Sequence, residues 1–310
     1  MSIYSIEFKP LSVLTKIPDA QTIFGAFCYK MKEIYGENTL KNFLKLENGD
    51  NPLFLISSMF YNQTMPIPLD FMPIKENVSS LEDASQNKKV KKIKYMSKSL
   101  FIEYKNNKEK FMKDFYKNLN DKFIIVNNEL LLKKDENIIN DKYIVKDVRT
   151  RNAYSNSLTN KKLYKDEVIY CNEKLTFNIY INILNEKCAD IVLNIFKSMN
   201  YVFFGGHKSI GYNLFSFIDC KTEKELENTN HKTLVSKSLI TQEIDLENSF
   251  YKFQVLNNKN NQQLGNIYHK QVYVLDEGSV ISTSKEYIGR MVEEKVNEKT
   301  IYQYYLGMLL

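Results

Sequence analysis

Three of the chain's ten glycines, Gly205, Gly206 and Gly211, fall within seven residues, and they enclose His207, Lys208 and Ser209 in the stretch YVFFGGHKSIGYNLFSF at 201–217. Glycine frees the backbone and lets a ligand approach bare amides. A loop of exposed N–H groups with a lysine in it suits an anion, most simply a phosphate. The same residues would also make a tight helix-to-strand turn that binds nothing. A second concentration of chemistry is DVRTRNAY at 147–154, with Arg149 and Arg151, two of only three arginines in the chain. On a strand both would point to one face. Guanidinium groups bind phosphate bidentately and stack on bases; a pair of exposed strand arginines is the plain alternative.

The elements around these residues follow from periodicity. KLTFNIYINIL at 174–184 sets Leu175, Phe177, Ile179, Ile181 and Ile183 on one strand face and Thr176, Asn178, Tyr180 and Asn182 on the other. A helix over about 186–199 follows, then the glycine loop, then a strand over 212–219. The chain opens in the same way. Tyr4, Ile6 and Phe8 alternate along a strand at 3–9, and Asp19 is placed to cap a helix that Gly36 stops. The pattern is compatible with a βαββαβ, ferredoxin-like domain over 1–220. In that arrangement Arg149, Arg151, the first loop and the glycine loop converge at one end of the sheet. Gln21 and Thr22, in the first turn of the opening helix, would bond a phosphate or a base edge, or simply cap.

Prolines at 66, 68 and 73 exclude a central strand there and suggest an extended connection. From about 76 to 145 apolar periodicity is weak and charge dominates, which reads as an insertion. Its run Lys88, Lys89, Lys91, Lys92 and Lys94, leading into Tyr95, is expected to form a basic hairpin or mobile loop that meets nucleic acid, or else a solvated lysine surface. Residues 221–310 read as a smaller α+β or mostly β domain.

Composition narrows the function classes. A formal charge of +6 on 310 residues favours a polyanionic partner without demanding one. The three histidines, His207, His231 and His269, have no metal-ligand spacing, and HExxH, GxSxG, Walker A and GxGxxG patterns are absent. No metal or cofactor is therefore expected. The four cysteines form no CxxC pair and read as free thiols. No apolar run reaches membrane-spanning length and the N-terminus lacks a signal-peptide pattern, so a soluble, cytoplasmic protein without a membrane partner is expected. One catalytic option remains. His207 as acid or base, with Lys208 stabilising a phosphorane, would suit metal-independent RNA cleavage.

Several stretches together resemble the RAMP superfamily of CRISPR proteins, and within it the Csm-type 5′-handle-binding subunit of type III-A effector complexes. They are IPDAQTIFGAFCYKMKEIYG at 17–36 with PLFLISSMF, then MPIPLDFMPIK with VKKIKYMSKSLF, then FFGGHKSIGYNLFSF. VRTRNAYSNS and the ending GSVIST…IYQYYLGMLL are weaker echoes. Three positions depart from the family's pattern: His207 where a basic residue is usual, Asn213 in place of a glycine, and no proline after the final tyrosine pair. The resemblance implies two ferredoxin-like folds, the first with a basic thumb-like insertion around Lys88–Tyr95. It implies no nuclease centre and a role in capping one end of a guide-RNA filament. The implied partners are the repeat-derived handle of crRNA, a large polymerase-like subunit, a backbone RAMP subunit and, indirectly, target RNA. The RNA contacts would come from Gln21, Thr22, the Lys88–Lys94 run, Arg149, Arg151, Asn152, Tyr154, Gly205, Gly206, His207, Lys208, Ser209, Gly211 and Tyr212, with a place in the core the equal alternative for Tyr154 and Tyr212. A guide-processing endoribonuclease of the same superfamily, with His207 and Lys208 at its centre, and a purely structural interaction protein are the alternatives.

Overall fold

The structure, a computed structural model, describes residues 2–71, 81–119, 121–136, 144–153, 162–227, 232–256, 271–296 and 299–310. The chain begins with β1 (Ser2–Pro10) and α1 (Ala20–Tyr35). Asp19 caps α1: its Oδ1 accepts from the Thr22 amide at 2.9 Å and from Thr22 Oγ1 at 2.6 Å. At the other end the Gly36 amide donates back to Lys32 O at 2.9 Å. Both helix limits expected from the sequence are met. The face Ile23, Phe24, Phe27 and Met31 is buried, as i, i+4 and i+8 spacing requires.

Helix α2 (Glu37–Glu47) follows, then β2 (Phe54–Ile56), β3 (Phe60–Tyr61) and β4 (Thr64–Pro66). Next come α3 (Leu81–Val90), β5 (Tyr95–Ser97), α4 (Lys98–Asn106) and α5 (Lys108–Asn118). The hairpin β6 (Phe123–Val126) and β7 (Leu130–Lys133) precedes a long ribbon, β8 (Ile144–Ala153) with β9 (Lys162–Cys171). Strand β10 (Phe177–Ile183), helix α6 (Ala189–Lys197), the short β11 (Val202–Phe203) and β12 (Leu214–Thr222) complete the first part.

The main sheet runs β11-β12-β1-β10-β2, with β3 also pairing to β10. Numbered by sequence, its strands β1, β2, β10 and β12 stand in the order 4-1-3-2, antiparallel throughout. With α1 between the first two and α6 between the last two, this is the connectivity of a split βαβ unit. The rings of Phe27, Phe43, Phe54 and Phe196 pack under it, with centroid separations from Phe27 of 5.5, 5.1 and 5.2 Å. β10 is buried on both faces, its Asn178 and Tyr180 side included. Asn178 Oδ1 accepts there from the Gln63 amide at 3.2 Å.

The region read as a loose basic insertion is a packed unit wherever it is described. β4, β5, β7 and β6 form a four-stranded sheet with β4 at its edge, which is where Pro66 is tolerated. Leu100, Phe101 and Tyr104 of α4 and Phe111 and Phe115 of α5 are buried with Phe71 and Phe123. Lys98 Nζ reaches both Glu223 carboxylate oxygens, at 3.0 and 2.8 Å, and ties this unit to the end of β12. The Lys88–Tyr95 run is not a hairpin. Lys88 and Lys89 end α3, Lys91 and Lys92 turn, and Tyr95 starts β5. β8 and β9 form a separate two-stranded ribbon, held at one end to the first loop by the Leu14–Ile169 bridge.

Among the described residues of 232–310 there are strands and no helix, which agrees with the mostly β one of the two readings of that part. The proposed boundary near 221 falls at the end of β12, yet one core cluster spans it. Tyr304 stacks on Phe24 with ring centroids 4.5 Å apart, its hydroxyl accepts from the Ile56 amide at 2.9 Å, and Leu306, Met308 and Leu310 join the same core. No described helix is long and apolar enough to cross a membrane.

Glu47 lies fully inside this junction. Burial pushes its carboxyl up to about 8, against the lowering pull of the Leu53 and Phe54 amides. Leu53 N donates to Oε2 at 2.8 Å. The folded protein thus holds a proton that the unfolded chain releases above 4.5, so stability falls as pH rises from there through about 8. Glu47→Gln keeps an acceptor for Leu53 and is expected to flatten that decline. Urea melts across the window check it.

Candidate nucleic-acid interface

The glycine loop joins β11 to β12 at the edge of the main sheet, so a short strand intervenes between helix and loop that the sequence pattern did not reveal. Its turn is built on left-handed backbone. Gly205 has φ 96°, His207 63°, Gly211 76° and Asn213 61°. A Cβ at Gly206 or Gly211 would meet nothing within 4 Å, so the approach to these residues is open. The Gly206 carbonyl is pulled inward by Asn213 Nδ2 at 2.9 Å. The His207 carbonyl accepts from the Ile210 and Tyr212 amides at 3.2 and 3.3 Å, and that of Lys208 from Gly211 N at 3.0 Å. In a trans peptide the N–H points opposite to the C=O. The amides of His207, Lys208 and Ser209 therefore point out of the loop, and they donate to no acceptor among the described residues. Successive free N–H groups of this kind form an anion-binding concavity.

Asn213 is the brace. It is only 1% exposed, and its Oδ1 accepts from the Thr15 amide at 2.8 Å while its backbone N donates to Val13 O at 2.9 Å. Asparagine tolerates the left-handed region better than most residues, which accounts for its standing where a glycine was expected. Through it the first loop, 11–18, and the glycine loop are locked together.

The two arginines also arrive here. Arg149 Nη1 donates to Tyr212 Oη at 2.6 Å and its Nε to Tyr170 Oη at 2.8 Å. The Arg151 guanidinium lies 4.9 Å from the Tyr212 ring centroid, and its Nε is 3.0 Å from Asp166 Oδ2. The Tyr170 hydroxyl, ahead of the cost of desolvation, holds the Arg149 guanidinium above its ordinary pKa. Convergence of arginines and glycine loop is met, but in a form the sequence did not disclose. The guanidinium groups clamp Tyr212, which is 9% exposed, and so its ring face is not presented for stacking. Tyr170, Asp166 and Asn213 were missed as parts of the site. Their signal is the β8–β9 register, which sets Arg149 opposite Asp166, and the φ of Asn213.

The remaining expected residues divide clearly. Thr22 is spent on the Asp19 cap, and its methyl would lie 3.5 Å from a Cβ at Gly205, so the helix start abuts the loop. Gln21, in the same turn, is half-buried. His207, Lys208 and Ser209 are exposed. Asn152 pairs with Leu163 in the ribbon, its side chain outside the described set, and Tyr154 lies outside the described residues, as do His231 and His269. Lys88, Lys89, Lys91 and Lys92 are exposed on the unit carrying the four-stranded sheet, not on the sheet of the loop; Lys94 pairs with Glu129 at 2.7 Å. Among the described residues no group of three or more His, Cys, Asp or Glu could hold a metal ion.

No protein-family model and no curated protein matches the sequence. Solved structures do. A Csm3–Csm4 subcomplex of the type III-A CRISPR-Cas interference complex matches with TM-score 0.67 at 16% identity, over 100% of this chain and 98% of that one. A Csm1–Csm4 cassette in complex with pppApA matches with TM-score 0.58 at 18% identity, and one in complex with cA4 with 0.59 at 16%, each over 100% of this chain and 97% of that one. The chain has the fold of the Csm subunits in these structures. In this Csm-type fold the β8–β9 ribbon, the first loop and the glycine loop meet at one place, and the outward amides lie there.

Proposed function

We propose that this Csm-type chain is a non-catalytic subunit of a type III-A effector complex that grips the 5′ handle of crRNA. Csm4 is the component common to the three solved structures described above, which supports the reading of this chain as the counterpart of that component. The observation that carries the RNA-binding role is the outward row of His207, Lys208 and Ser209 amides beside the arginine-clamped ribbon. Single-stranded RNA is held by such phosphate contacts rather than by groove reading. The subunit caps the filament and contacts a large polymerase-like subunit and the first backbone subunit. The β8–β9 ribbon, rather than Lys88–Tyr95, is the arm that reaches along the guide, with Val148, Leu163 and Tyr164 exposed on it.

Expression with the guide locus is expected to yield protein carrying a short RNA of uniform 5′ end. The double variant Arg149→Ala/Arg151→Ala releases the clamp on Tyr212. It is expected to bind that RNA more weakly and to lower the salt slope by roughly 0.7 for each phosphate it no longer neutralises. Protein that carries no RNA, or a double variant that binds with unchanged salt dependence, would favour a structural role. Site-specific cleavage of repeat RNA without metal, abolished by His207→Ala, would overturn the non-catalytic assignment.

A further inference from the structure

We infer that the cleft between the outer face of α1 and the β11 segment holds a single unstacked nucleobase next to a phosphate bound at the glycine loop; this rests on the RNA-binding reading above. The cleft has a volume of about 160 Å³ and is lined by Ala26, Tyr29, Glu33, Met199, Tyr201 and Lys208, among others. Met199 is buried and forms the floor. Tyr29 and Tyr201 are 52% and 72% exposed, large rings that no core packing requires. Tyr201 also sits at φ 56°, a left-handed conformation that a bulky residue rarely adopts. Residues in such sparsely populated backbone regions cluster at active sites and ligand clamps.

Three properties together choose the occupant. The first is size. The space equals about five waters at about 30 Å³ each, well under the roughly 300–1,000 Å³ of pockets that enclose whole ligands. It admits one planar ring and leaves the attached sugar and phosphate outside. The second is surface chemistry, because bases stack on aromatic rings in a sequence-tolerant way. The third is position. Lys208 Nζ lies 5.4 Å from the Tyr29 ring centroid, and the Lys208 amide is one of those that point out of the glycine loop. One residue thus belongs to both the phosphate site and the ring site. At the rim Lys30 pairs with Glu33 at 3.1 Å, which leaves Lys208 as the cation facing an incoming phosphate.

The test uses the full chain and single-stranded oligoribonucleotides of the handle sequence, each with 2-aminopurine at one position. One position is expected to change in fluorescence on binding while its neighbours stay unchanged. Tyr29→Ala and Tyr201→Ala are expected to remove that change and to weaken binding about tenfold each. Tyr201→Phe, which keeps the ring, is expected to keep both. Because both tyrosines are exposed, the alanine variants should melt as the parent does. Tight binding with no responsive position, or alanine variants that match the parent, overturns the base cleft and leaves RNA binding intact. If the unaltered chain binds none of the oligonucleotides, the RNA-binding reading fails and takes the cleft with it.

Discussion

Asn213→Ala is expected to cost the glycine loop its shape and the protein most of its RNA affinity. The side chain bonds the Thr15 amide, Thr15 Oγ1 and the Gly206 carbonyl, at 2.8, 3.0 and 2.9 Å. Buried groups left without a partner cost about 1–3 kcal/mol each. Alanine at φ 61° adds about 1–2 kcal/mol of left-handed strain. The damage is concentrated where the His207, Lys208 and Ser209 amides are aimed, so binding should fall by well over tenfold while the main core stays folded. Asn213→Gly removes the strain without restoring the hydrogen bonds, and should fall between. Filter binding with a labelled handle oligonucleotide, alongside thermal melts, separates the two effects. An alanine variant that binds like the parent would show that the braced loop does not present the phosphate site.

The largest effect on stability is expected from Phe27→Ala. Phe27 is completely buried, and its ring touches those of Phe43, Phe54 and Phe196 at the meeting of α1, α2, β2 and α6. Phenylalanine-to-alanine changes in such cores cost about 3–5 kcal/mol, a large part of a total stability of about 5–15 kcal/mol. The urea midpoint should drop sharply with an unchanged slope. A drop under about 1 kcal/mol would mean that the four elements close over the gap and that the aromatic cluster is not the keystone of the main sheet.

Strands β1, β10 and β12 and helices α1 and α6 were legible because their apolar residues follow simple periods, whereas the short β2, β3 and β11 were not. Asp19 and Gly36 bracket α1, and the apolar residues of β10 alternate without interruption in the sequence, although both faces of the strand are buried. The unit between Leu81 and Lys133 was not legible. Its core comes from aromatic pairs such as Phe111 and Phe115, one turn apart on helices otherwise covered with lysine. Averaged over a window, the charge hides the stripe. The position of the glycine loop was legible, since three of the chain's ten glycines, Gly205, Gly206 and Gly211, stand within seven residues. The state of the arginines was not. Arg149 looked free because its partners, Tyr170 and Tyr212, lie 21 and 63 residues away. Only strand register brings the first of these within reach. For Thr22 the sequence left an RNA contact and a cap equally open, because a hydroxyl at the third residue of a helix start serves either purpose, and the structure shows it in the cap.

The stacking of Tyr304 on Phe24 has a consequence for how the molecule is made. Ribosomes add about 5–20 residues per second, so roughly 15–60 s separate the emergence of these two rings. During that interval the first sheet can pair and α1 can dock with Phe24 against Phe54, but the ring face that Tyr304 stacks on has no cover. The nascent chain therefore lacks the Tyr304 ring over Phe24 until residue 304 is polymerised. Translation products that stop short of Tyr304 should be sticky and quickly degraded.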